Sequence, residues 1–68
     1  MFYEGGAMSL KDYLHFNDIK CVAMARQLGI TGHYLRMIRL MKLKPSLELA
    51  EKIEILTGGE VTVKELRG

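Results

Sequence analysis

Six cations, Lys20, Arg26, Arg36, Arg39, Lys42 and Lys44, stand between Ile19 and Leu47 with no aspartate or glutamate among them. Arginine offers anions a planar fork of donors, and lysine offers a compact point charge. The rest of the chain sets Lys11, Lys52, Lys64 and Arg67 against all eight acids. A basic middle between acidic ends points to an anionic partner or to a solvated basic surface. Charge alone does not choose between them.

Other chemistry finds little support. His15 and His33 have no ligand cluster around them, so no metal site is expected. There is no glycine-rich phosphate loop, no carboxylate pair in an evident cleft and no Cys/His pair at a useful spacing. Catalytic residues and a cofactor are therefore expected to be absent. Cys21 reads as a half-buried small apolar side chain rather than a reactive thiol. As the one cysteine it forms no internal disulfide and suits a reducing cytoplasm, the expected location. No apolar run is long enough for a membrane span, and the first residues lack the pattern of a signal peptide.

The elements that must position the cations follow from spacing. Sixty-eight residues, 49% of them apolar and 26% charged, suit one small folded domain. Residues 1–8 read as a flexible leader and 9–68 as the domain. Ser9 can cap a first helix whose stripe is Leu10, Tyr13 and Leu14, ending near Asn17-Asp18, with Phe16 and Ile19 packed under the connection. A second helix from about Lys20 to Leu28 buries Met24, Ala25 and Leu28, and Gly29 stops it. Thr31 caps a third, roughly Gly32 to Met41, with Leu35 and Ile38 inward. After Pro45, Ser46 caps a fourth with Leu49, Ala50, Ile53 and Leu56 or Thr57 inward, ending at Gly58-Gly59. Thr62 and Glu65 form a capping box, flanked by a Val61–Leu66 staple, that opens a fifth. No stretch alternates as a strand would.

The block Met24-Ala25-Arg26-Gln27-Leu28-Gly29-Ile30-Thr31, followed by Leu35 and Ile38, carries the functional signal. Two helices crossing through a 3–4-residue turn come close at their junction. Ala25 is small enough for that approach, Gly29 suits the turn, and Ile30, Leu35 and Ile38 lock the following helix onto the core. This is the spacing of a helix-turn-helix.

From Ser9 to Arg67 the chain resembles the short, prophage-type repressors of the Cro and lambda-repressor-like superfamily, including Cro-like antitoxin-type regulators. Leu28-Gly29-Ile30-Thr31 carries the resemblance, as does the segment from Lys44-Pro45-Ser46-Leu47-Glu48-Leu49-Ala50 to Thr57-Gly58-Gly59-Glu60-Val61-Thr62. The resemblance implies an all-α, compact five-helix domain that binds operator DNA as a dimer. Three positions depart from the family pattern. Lys20-Cys21 stands where a Ser-Gln pair usually opens the second helix and helps hold a phosphate. Leu40-Met41 stands where Asn-Gly often ends the third, so that helix is expected to continue to about Leu43. Gly32, Met37 and Leu40 stand where polar base-reading side chains are common.

At 100° per residue, Leu35 and Ile38 define the inward side of the third helix, and His33, Arg36, Met37 and Leu40 the outward one. Arg36 suits guanine, His33 a base edge or phosphate, and Met37 or Leu40 a thymine methyl. Thr31 and the helix start at Gly32 suit a phosphate, and Lys20, Arg39, Lys42 and Lys44 suit the backbone. The expected function is sequence-specific binding of double-stranded DNA as a transcription regulator, by a two-fold homodimer meeting through Ile55, Val63 and Leu66. The alternative is a protein-interaction module of the same fold, such as a toxin-neutralising partner, using Met37, Leu40, Met41 and Leu43 as an apolar patch.

Overall fold

The computed structural model describes residues 8–68. All its regular structure is helical: α1 Leu10–Phe16, α2 Cys21–Leu28, α3 Gly32–Arg39, α4 Leu47–Leu56 and α5 Val63–Arg67. Among the described residues there is no strand. Nor is any helix among them long and apolar enough to cross a membrane.

Hydroxyls open four of the five helices. Ser9 Oγ accepts from the Asp12 amide (3.1 Å), Thr31 Oγ1 from Tyr34 (3.0 Å), Ser46 Oγ from Leu49 (3.2 Å) and Thr62 Oγ1 from Glu65 (3.1 Å). Each satisfies an amide that has no partner inside its helix, and is worth about 1 kcal/mol. Only α2 begins without such a bond, at Lys20.

The helix ends repeat one device. At Asp18, Gly29, Met41 and Gly58 the backbone turns left-handed. In each case the next amide reaches back five residues: Ile19 to Leu14, Ile30 to Ala25, Lys42 to Met37 and Gly59 to Glu54. The left-handed residue's own amide reaches back three. This is the Schellman closure, which satisfies two otherwise free carbonyls. It corrects the expected third helix: α3 ends at Arg39, not Met41 or Leu43, because Met41 accepts φ 62° in place of a glycine.

Leu10 and Leu14 of α1, Met24, Ala25 and Leu28 of α2, Leu35 and Ile38 of α3, and Leu49 and Ile53 of α4 close one core with Val61. Tyr13, Ile19, Cys21, Ile30, Tyr34 and Leu66 pack against it. Met8, grouped by sequence with the leader, is buried. It precedes the capping Ser9, where an apolar side chain folds back on the first turn. Residues 1–7 of that leader lie outside the described residues.

Two inward expectations resolve or reverse. Thr57 is 3% exposed and Leu56 38%, so Thr57 faces inward. Its hydroxyl accepts from the Val61 amide (3.1 Å) and lies 3.2 Å from the Glu54 carbonyl, to which it can donate. Phe16 does not pack under the α1–α2 connection: it is 65% exposed and meets His15 edge-on at 5.6 Å between ring centroids. Ile19 alone takes that place.

Candidate nucleic-acid interface

Leu28, Gly29, Ile30 and Thr31 join α2 to α3. Gly29 at φ 76° reverses the chain, and Ile30 packs on the core. The Thr31 hydroxyl then opens α3. Ala25 is almost completely buried, as is Leu35 opposite. A β-carbon on Gly32 would stand 3.6 Å from Val22 Cγ2, which measures how near the α3 start comes to α2.

With Leu35 and Ile38 inside, His33 and Arg36 are exposed on the outward side of α3, and Met37 is half-buried. His33 and Arg36 line a cleft of about 270 Å³ with Cys21, Val22, Gly32 and Arg39. The cleft thus combines the first turns of two helices, whose free amides attract anions, with two guanidinium groups. Lys20 and Thr31 are exposed beside it, at the N-caps of α2 and α3. Val22 is the residue sequence reasoning missed here. Its one signal is a β-branched side chain off the Met24, Ala25, Leu28 stripe.

The remaining expected contacts divide. Lys42 is exposed in the α3–α4 connection. Lys44 Nζ lies where a β-carbon on Gly68 would meet it at 3.6 Å, so this ammonium is drawn beside the end of α5. Arg39 is half-buried, and its Nε is fully enclosed without a hydrogen-bond partner. Besides the cleft, Arg39 borders a hollow with Lys11, Asp12, His15 and Asp18. It also borders a groove between α1, α3 and α5.

That groove, about 330 Å³, brings Leu40 together with Leu10, Ile38, Met41, Leu43 and Leu66. Lys11, Arg39 and Lys44 are its cations and Glu65 its acid. Leu66 thus lines this groove, whereas Ile55 is 79% exposed on α4 beside Glu51, Glu54, Gly58 and Gly59. Val63 belongs with the α4 side, since its amide donates to Glu54 Oε1 at 3.2 Å. Of the three residues expected to form one interface, Leu66 borders the groove, while Ile55 and Val63 neighbour Glu54.

Among the described residues no group of three or more His, Cys, Asp or Glu side chains could hold a metal ion. Compared with known proteins, the chain matches no family model, no curated protein and no solved structure.

Proposed function

We propose that the protein is a sequence-specific regulator that binds double-stranded DNA through a helix-turn-helix made of α2 and α3. The observation that carries this reading is the outward face of α3. His33 and Arg36 stand exposed at the mouth of a cleft formed by the first turns of two helices, in a stretch with six cations and no acid. A major groove about 12 Å wide admits one α-helix, and arginine pairs with guanine there through two donors. Free amides at the starts of α2 and α3, with Lys20 and Thr31, suit the flanking phosphates. The likeness of the sequence to Cro-type repressors favours the same reading. One copy offers few base readers, each mismatch being worth about 1–3 kcal/mol, so more than one copy acts at an operator.

The test is a salt-titrated binding assay against the duplex upstream of the protein's own coding sequence. Affinity should fall steeply, with log K changing by about −0.9 per phosphate contact for each unit of log salt. A flat response would refute a nucleic-acid partner.

A second reading, a protein-interaction module such as a toxin-neutralising partner, has its own support. Leu40, Met41 and Leu43 are all exposed in one short connection, and a grouped apolar patch marks a site of protein contact. Arg36→Ala separates the two. It weakens duplex binding under the first reading and leaves partner binding through the connection unchanged under the second.

A further inference from the structure

The most exposed large apolar side chain of α4, Ile55, sits in acidic surroundings. From Glu48 to Glu60 the chain carries four glutamates and one cation, Lys52. The groove between α1, α3 and α5 has the opposite character, an apolar floor with three cations to one acid. We propose that this groove receives the Ile55 edge of α4 from a second copy of the chain, in a head-to-tail contact.

Three observations support a second copy as the occupant. The charges are complementary: Glu51 and Glu54 flank Ile55, while Lys11, Arg39 and Lys44 border the groove. A two-fold contact centred on Ile55 would instead bring the acidic stretch against its own image, and like charges across an interface oppose association. Arg39 is half-buried where it borders the groove, so a carboxylate arriving there meets a guanidinium partly screened from water. Met41, which lines the groove, holds a left-handed backbone that glycine would take without strain. Strain held at an exposed position is a pointer to use of the side chain.

The knob and the groove share no lining residue, so each copy can give one contact and take another. Such contacts extend in one direction rather than close by pairing. On DNA, a consequence that rests on the proposed function, copies would line up on direct repeats rather than inverted ones.

The test uses the whole chain without DNA, so its failure leaves the DNA reading standing. Sedimentation equilibrium of the native chain, from about 10 μM to about 1 mM, should show mass rising with concentration. Ile55→Glu removes the knob and Leu43→Glu the groove. Each variant alone should stay monomeric, and their equimolar mixture should form a species of twice the monomer mass that grows no further. Lys11→Glu, a charge reversal on an exposed side chain, replaces Leu43→Glu if circular dichroism shows that variant unfolded. Three results would overturn the proposal. The native chain could stay monomeric throughout, Ile55→Glu could associate as the native chain does, or the mixture could fail to complement.

Discussion

The amide of Lys42 donates to the carbonyl of Met37 across 3.0 Å, and between them Met41 holds φ 62°. A β-carbon in that conformation costs about 1–2 kcal/mol, which the two closing hydrogen bonds offset. Replacing Met41 with glycine removes the clash but adds about 0.5–1 kcal/mol of chain entropy to be lost on folding. Met41→Gly should therefore stabilise the fold by about 0.5–1 kcal/mol, raising Tm by roughly 2–8 °C. Asp18→Gly, at the same point of α1, should gain less, since aspartate tolerates this conformation better. Thermal denaturation of both variants checks the order.

Thr57→Val keeps the shape of a buried side chain and removes its hydroxyl. The Val61 amide, in a fully buried residue, then loses its acceptor. An unsatisfied buried donor costs about 1–3 kcal/mol, so urea unfolding should show a loss of that size. Thr57→Ser retains the bond and should cost less. Equal losses for the two variants would remove the hydroxyl from the account of the α4–α5 joint.

Gly29 and Gly32 make a pair with opposite expectations. Nothing lies within 4 Å of a β-carbon built on Gly29, yet φ is 76°, so Gly29→Ala should destabilise by about 1 kcal/mol through backbone strain alone. Gly32 has a neighbour, Val22 at 3.6 Å, but the distance is ordinary contact and the residue is helical. Gly32→Ala should leave stability unchanged or raise it by up to about 0.5–1 kcal/mol. Chemical denaturation that ranks the two by available space, with Gly32→Ala the worse, would contradict the argument.

On the proposed DNA reading, Arg36 and Lys42 should fail differently. Arg36→Ala should cost about 1–3 kcal/mol at the preferred site and flatten the preference among sequences. Lys42→Ala should weaken all duplexes alike and reduce the salt slope by about 0.9. Fluorescence anisotropy on a preferred and an unrelated duplex, at several salt concentrations, separates these patterns.

Helix starts were the most legible part of this chain. Ser9, Thr31, Ser46 and Thr62 announce themselves because a short hydroxyl side chain, placed before an apolar stripe, satisfies an otherwise free amide. The inward stripes of α2 and α3 followed from period alone. The end of α3 did not, because intrinsic preference argues against methionine in a left-handed turn and the local hydrogen bonds override it. Phe16 was misassigned for a related reason. Apolar character says that a side chain gains from burial, not which neighbour reaches it. The division of Ile55 from Leu66 depends on how α5 packs back on the core, which is a tertiary fact. Within the candidate interface, His33 and Arg36 were legible from helical phase. The enclosure of Arg39 and the drawing of Lys44 toward Gly68 were not, since both depend on elements distant in sequence.

Two side chains on the outward face of α3 stand clear of the core. Leu35 and Ile38 carry the packing, while His33 and Arg36 point away from it. Exchanging those two side chains should therefore carry little thermodynamic penalty. A scaffold built this way leaves its exterior free to drift: relatives could diverge at His33 and Arg36 while keeping the same five helices, and a designer could recode that face without redesigning the interior.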